Sequence, residues 1–457
     1  MKVTDTNYDK LITYILIAII AITPLLYFPY VEKGDLYPTG INQYQLIRYD
    51  NIYKPKITAV YYLVLLLAVI ILLKQYYDKN KINTDLSNIS IFLFLTFTIL
   101  STIFSKYYFQ SIYGRPFRWE GLITYISYVL IFITAGYFIK KLKYLKKIIK
   151  YLFISGSIIS IYGLIQFYGF DFINRDPLRI NWSRSFSTLG NPNFAASYIA
   201  IVLSLSLVLY IFSENKEKIY RYGFLSSLFF SFLIATSTRS ALIGFLVSTI
   251  IFVSIFYKYL KNNFKKVVVI ILIFITIFGV MDFGQQFYYS RRVLSLFTDV
   301  QTLAISDDDT EVEKIGSKRF VIYKFSIPLL FKNPLLGSGP DTFDKVFPHD
   351  EFNKLSEGTG RKIVDKAHNE YLQIGVTLGL PALLFYLLLL YNIYNKGFRA
   401  LKKVKSKMSD LNIYHAALFM AVVSYTVTAL FNISVVTVAP VFWAILGLNI
   451  AVSKMEE

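Results

Sequence analysis

Arginine, asparagine, tyrosine and histidine recur at the ends of long apolar runs in this chain. Guanidiniums at such places suit the binding of an anionic group, and a histidine suits proton transfer. Arg115, Arg118 and Glu120 stand together in GRPFRWEG (114–121). Arg184 opens RSFSTLGNPNF (184–194), where Gly190 and Pro192 make a tight turn and Asn191 and Asn193 can donate side-chain amides. Arg239 occupies the tip between two apolar runs in TSTRSALI (236–243). Arg319 and Tyr323 fall one turn apart in SKRFVIYKFSIPLLF (317–331), whose interleaved basic and apolar residues predict a helix lying on a membrane surface. NPLLGSGPD (333–341) follows, a glycine-rich turn able to present backbone N–H groups to an anion. His368 then begins HNEYLQIGVTLG (368–379), which predicts a helix with His368, Leu372, Gly375 and Gly379 on one face. The two glycines would let a neighbouring helix approach beneath the histidine.

Each feature alone has a simpler explanation: snorkelling arginines, Gly/Pro turns, a hydrogen-bonded structural histidine. The competing candidates are weaker. His415 falls at the inner end of an apolar run, and His349 lies in a polar stretch without a helical frame. Asp307, Asp308 and Asp309 could hold a divalent cation, but their polar neighbours fit a solvated loop better. With no cysteine and three scattered histidines, no transition-metal cluster is expected.

These residues need elements to hold them, and composition says which. Of 457 residues 55% are hydrophobic and only 17% charged, against roughly 25% charged in a soluble domain. Runs long enough to cross a bilayer, about 20 residues each, occur near 11–30, 57–73, 88–105, 121–139, 151–169, 192–213, 222–238, 240–257, 267–283, 372–394, 413–431 and 435–453. The expected fold is therefore an all-α polytopic membrane protein with about twelve transmembrane helices. Residues 1–283 would form an N-terminal membrane region of nine spans, 284–371 a long outer loop with short helices, and 372–457 a C-terminal region of three spans. The first run lacks a cleavage site and reads as a retained helix.

Placing both termini in the cytoplasm puts more than half of the 48 Lys and Arg residues on the inside and the long loop outside. The excess of basic over acidic residues, 48 to 29, then reflects cytoplasmic loops and anionic headgroups, not nucleic acid. No Asp, Glu, Lys or Arg lies in the middle of a run, which argues against an ion-coupled transporter or a lipid-glycan flippase. The charged candidates gather at the outer ends, so a reaction at the outer membrane surface is expected.

Taken together, GRPFRWEG, STLGNPNF (187–194), STRSALI (237–243), KRF (318–320) with FKNPLLGSGPDTF (331–343), and HNEYLQIGVTLG resemble the motifs of the O-antigen ligases. Related are O-antigen polymerases, teichuronic acid polymerases and protein O-oligosaccharyltransferases. The order is the family's, and so is the spacing from His368 to Gly379. Ile243 stands where the arginine motif usually ends in Leu, a volume-conserving swap. The resemblance implies a GT-C-type glycosyltransferase of the cytoplasmic membrane that is inverting and needs no metal or other cofactor. Its donor would be a glycan on a polyprenyl (undecaprenyl) diphosphate, and its acceptor a glycan, glycolipid or protein hydroxyl. The family's essential arginines map to Arg239 and Arg319 and its essential histidine to His368. Arg115, Arg118, Glu120, Arg184, Asn191, Asn193 and Tyr323 would make further diphosphate or glycan contacts. Ligase and polymerase readings stay open, since both need the same diphosphate site.

Overall fold

A computed structural model describes residues 5–28, 31–33, 47–50, 52–78, 86–172, 184–292, 294, 319–355, 363–403 and 408–456. The described residues are mostly helical, and the apolar runs coincide with helices over most of their lengths. The sequence of elements is α1 (Asp5–Ile17, prolonged by a π turn and a 3-10 turn to Leu25), α2 (Tyr53–Asp78), α3 (Leu86–Ile103), α4 (Tyr108–Tyr113), α5 (Leu122–Phe138) and α6 (Leu142–Phe167). Then come α7 (Pro192–Phe212), α8 (Lys216–Ala235), α9 (Arg239–Asn262) and α10 (Phe264–Gly284). Among the described residues seven helices are long and apolar enough to cross a membrane, and Ser87–Ile103 and Leu122–Phe138 are shorter apolar ones. The protein is an integral membrane protein. A two-stranded antiparallel ribbon, Val31–Lys33 with Ile47–Tyr49, was not expected from the sequence.

Burial follows each helix's place in the bundle. Every residue of α7 from Phe194 to Phe212 is buried. It is the central post, packed by α8 and α9 and by α17 (Asp410–Ala429). The last helix, α18 (Ala439–Glu456), lies along α5. By contrast α10 exposes Ile271, Leu272, Ile275 and Val280, an apolar face that only hydrocarbon would solvate comfortably.

Between α10 and α17 the chain makes short helices: α11 (Arg319–Ser326), α12 (Leu329–Lys332), α13 (Phe343–Val346), α14 (His349–Leu355) and α15 (Glu370–Leu378), followed by the long α16 (Leu380–Lys403). The single surface helix expected over 317–331 is two pieces, parted at Ile327–Pro328. Val321, Ile322 and Leu329 turn inward onto Phe343, Phe347 and Val376, forming a small core of their own. The Asp307–Asp309 run lies outside the described residues.

The tenth apolar run is also two helices. Gly379 adopts φ +92° and ends α15, and α16 starts at once. The NPLLGSGPD segment explains the break. Ser338 and Gly339 donate their N–H groups to the carbonyls of Val376 and Thr377 at 3.2 and 2.8 Å, and Leu380 donates to the Pro334 carbonyl at 2.7 Å. A Cβ on Gly379 would come within 2.4 Å of the Leu335 carbonyl oxygen, so glycine is required there. These N–H groups cap a helix end and are not turned toward an anion, contrary to the expectation from sequence.

Candidate active site

Four arginines meet at one end of the bundle. Arg184 precedes α7, Arg239 is the first residue of α9, Arg292 ends a helical turn after α10, and Arg319 begins α11. Arg184 is held by three acceptors. Its Nε donates to the Thr236 carbonyl at 3.0 Å, and its Nη2 donates to Asn193 Oδ1 at 2.9 Å and Thr238 Oγ1 at 3.0 Å. One guanidinium thereby joins the start of α7 to the α8–α9 tip. The side-chain oxygens of the two asparagines serve the framework: Asn191 Oδ1 caps α7 by accepting from the Asn193 N–H, and Asn193 Oδ1 accepts from Arg184.

The arginines feel one another. Burial first, then the charges of Arg292, Arg319 and Arg239, push Arg184 down to about 10, against an opposing influence of Tyr288. Burial also lowers Arg319, with Arg239 and Arg292 adding to the effect and Tyr323 opposing it. Among the described residues no carboxylate pairs with Arg184 or Arg319. Like charges gathered in this way repel, and a bound polyanion relieves that repulsion. A cleft of about 30 Å³ lies beside Arg239 and Arg292, walled by Leu242, Phe278 and Tyr289.

Sequence reasoning missed Arg292. It follows Arg291 in a segment with no apolar frame to set a phase, so neither arginine could be assigned a direction. The usable signal was Tyr288, one turn earlier, whose hydroxyl accepts from Arg292 Nη1 at 2.9 Å.

His368 is not on a helix. Asn369 takes the N-cap position, accepting from the Leu372 N–H at 3.0 Å, so α15 begins at Glu370 and the predicted one-face alignment of His368 with Gly375 and Gly379 does not form. His368 itself has φ +54°, a left-handed conformation uncommon outside glycine. Its neighbours hold it there. Ala367 N–H donates to Gln373 Oε1 at 2.8 Å, and the Tyr323 hydroxyl donates to the His368 carbonyl at 2.9 Å. The ring's Nδ1 is buried with no hydrogen-bond partner among the described residues. Burial, helped by the charges of Arg319 and Arg118 and opposed by Asp365, brings the imidazole down to about 4. It is a neutral ring near neutral pH.

Arg115, Arg118 and Glu120 belong to a second cluster, in which charges are matched. Lys366 Nζ donates to Glu120 Oε2 at 2.8 Å and forms an ion pair with Asp341 Oδ1 at 2.8 Å. The other Glu120 oxygen accepts from Ser434 at 2.7 Å and from Tyr128 at 3.2 Å. The other Asp341 oxygen accepts the N–H groups of Arg115 and Glu120 at 2.7 and 3.2 Å. Arg118 Nε donates to Asp365 at 2.8 Å, and Arg115 stands 3.5 Å from the same carboxylate. Although burial alone would raise Asp365, Arg118 and Arg115 hold it at about 2. Glu120 is 1% exposed, so this cluster clamps the 114–121 loop onto the segment that carries His368. From this cluster Asp365 and Arg118 act on the charge of the His368 ring. This differs from the expectation of a carboxylate open to the donor.

The other histidines are engaged. His349 does have a helical frame, at the start of α14. Its Nε2 lies 2.8 Å from the Asp344 carbonyl, and its Nδ1 accepts from the Val364 N–H at 3.3 Å. His415 is fully buried at the far end of α17, 2.9 Å from Glu456.

The O-antigen ligase family profile matches residues 224–387, from within α8 to within α16. Over that stretch the chain is similar to the O-antigen ligases. Comparison with curated proteins gives no match. O-antigen ligase family proteins are membrane glycosyltransferases of ligase or polymerase kind, acting on lipid-linked glycans. The matched segment holds Arg239, Arg292, Arg319 and His368, while Arg115, Arg118, Glu120, Arg184, Asn191 and Asn193 precede it.

Proposed function

We propose that this protein is an O-antigen ligase-type enzyme that transfers a glycan from a polyprenyl diphosphate carrier to an acceptor hydroxyl, with inversion, at the outer face of the cytoplasmic membrane. The observation that carries the reading is the convergence of four arginine charges, of which Arg184 and Arg319 have no carboxylate partner among the described residues, beside a neutral histidine. Arg184, Arg239, Arg292 and Arg319 take the diphosphate. As the bond from the anomeric carbon to the diphosphate oxygen breaks, negative charge grows on the leaving group, and preorganised guanidiniums stabilise it. The acceptor oxygen attacks the anomeric carbon from the opposite side and gives its proton to His368. Arg118 and Asp365 set the position of His368, while Glu120, Lys366 and Asp341 fix the loop beneath it. Tyr323 holds the histidine's backbone, and Arg115 shares in that bracing.

The arginines supply the charge that a divalent cation would otherwise bring, so the reaction is read as metal-independent. The architecture is read as GT-C-like with twelve crossings, both termini in the cytoplasm, and the regions 1–283, 284–371 and 372–457 as membrane, outer and membrane parts. The test is turnover by the purified protein in nanodiscs containing a polyprenyl-diphosphate glycan, offered a glycolipid, a glycan or a protein acceptor. Release of carrier diphosphate that depends on an acceptor and persists in chelator is expected. Lengthening of the glycan on its own carrier would identify a polymerase. No release with any acceptor would overturn the reading.

A further inference from the structure

At the end of the bundle opposite the arginines, α6, α8 and α17 part around a cavity of about 950 Å³. The distance between the two ends is the length of α8, whose 20 residues span roughly 30 Å at ~1.5 Å each. The two places are therefore separate sites.

The cavity is a wedge because side-chain size changes along α6. At the arginine end Gly163 admits Phe232 of α8 so closely that a Cβ would sit 2.0 Å from the ring. At the other end Phe153 and Tyr222 meet edge to face with centroids 6.1 Å apart, and the helices stand off. One wall of the wedge is Ile154, Ile158 and Ile161, at i, i+4 and i+7 on α6. They are 44%, 47% and 49% exposed, so the trough opens sideways toward hydrocarbon.

Its mouth is cationic. Lys146, Lys150, Lys218 and Arg221 stand on the rim against Glu214 and Asp410. Lys146 is taken by Asp410, and Arg221 lies 3.8 Å from Glu217. Among the described residues no carboxylate lies within ion-pair distance of Lys150 or Lys218. An apolar trough with surplus positive charge at one end matches an anionic head on an acyl chain.

We propose that this cavity binds an anionic glycerophospholipid, with its phosphate between Lys150 and Lys218 and an acyl chain along Ile154, Ile158 and Ile161. A free phosphate would leave the apolar wall unused, and a zwitterionic lipid would leave the cation excess unmatched. In the proposed orientation this end faces the cytoplasm, where the leaflet supplies anionic lipid.

The test needs no turnover, so it stands or falls apart from the glycosyl-transfer reading. The full chain is delipidated in neutral detergent, mixed with equal phosphatidylglycerol and phosphatidylcholine, and assayed for retained lipid by native mass spectrometry. Retention of phosphatidylglycerol should exceed that of phosphatidylcholine by roughly tenfold, and Lys150→Glu with Lys218→Glu should erase the preference. Both lysines are exposed, so the variant should fold, and an unchanged elution profile checks this. Ile158→Trp, which fills the trough, should lower retention of both lipids. The control Lys258→Glu with Lys261→Glu, outside the cavity, should keep the preference. Equal retention by the unaltered chain, a surviving preference in the Lys150/Lys218 variant, a preference lost in the control, or displacement by excess inorganic phosphate would each overturn the proposal.

Discussion

The Tyr323 hydroxyl donates to the carbonyl oxygen of His368 at 2.9 Å, tying the first helix of the outer segment to the residue that turns left-handed beneath it. The hydroxyl touches backbone, not the imidazole, so it acts on the ring's position alone. Tyr323→Phe should lower turnover roughly tenfold, the worth of one buried hydrogen bond, while donor affinity stays put. A binding assay beside a turnover assay checks this. Weaker donor binding with normal saturated turnover would mean that Tyr323 contacts the donor instead.

The arginine group makes a sharper expectation. Arg239→Ala and Arg319→Ala should each cost ~3–4 kcal/mol in the transition state, or roughly 10²–10³ in turnover. Arg292→Ala should fall by at least about tenfold, since it shares the same field. Lysine at Arg239 or Arg319 should restore only part, because an ammonium lacks the planar fork. Turnover at saturating donor, with expression matched, is the measurement. Full activity in any one alanine variant removes that arginine from the site.

Much of this was legible from residue types. Apolar runs located the helices because hydrocarbon demands length and composition, and Arg239 and Arg319 stood out because charge at a span's edge is conspicuous. What could not be read was backbone shape. Asn369 competes with His368 for the start of a helix, and capping preference decided it. Gly337 and Gly379 looked like an anion loop and a helix-packing face, yet both serve a break whose partner is over forty residues away. Lys366 gave no sign of its role, because its two carboxylates come from segments far apart in the chain.

Lys366 offers a stability test. It is 1% exposed between two buried carboxylates. Its partners favour the charged form strongly enough that its pKa lies above the ordinary value despite burial. Lys366→Met should cost about 3–5 kcal/mol by leaving two buried acids without a counter-charge. The midpoint of thermal unfolding in detergent should fall. Adding Glu120→Gln and Asp341→Asn to Lys366→Met should recover part of the loss. No change in the single variant would show that the cluster is dispensable to folding.

Orientation can be measured directly because the chain has no cysteine. Lys332 and Lys216 are both exposed and belong to opposite ends of the bundle. In intact cells or spheroplasts an impermeant thiol reagent should label Lys332→Cys, and should label Lys216→Cys only after permeabilisation. The reverse pattern would put the arginines on the cytoplasmic side and exclude an outer-face reaction.

The pH dependence of His368 separates two roles for the ring. The imidazole lies at about 4 here, depressed by burial and by the Arg319 charge. Its lowered value means that the neutral, proton-accepting form persists above that pH and is lost as pH falls through it. A bound diphosphate offsets the arginine charges, which raises the histidine's pKa in the complex. Since kcat/KM reports the free protein and kcat the complex, the acid limb of kcat should lie at higher pH than that of kcat/KM. His368→Ala should slow turnover by ~10²–10⁴ and remove both limbs, with donor affinity nearly unchanged because the arginines remain. His349→Ala and His415→Ala should leave turnover close to normal, the first ring being spent on Asp344 and Val364 and the second on Glu456. If His368 instead served as an imidazolium holding the diphosphate, its alanine variant would lose donor affinity and the unaltered protein would speed up toward acid pH. Donor binding and turnover, measured on the same variant across pH, decide between the two.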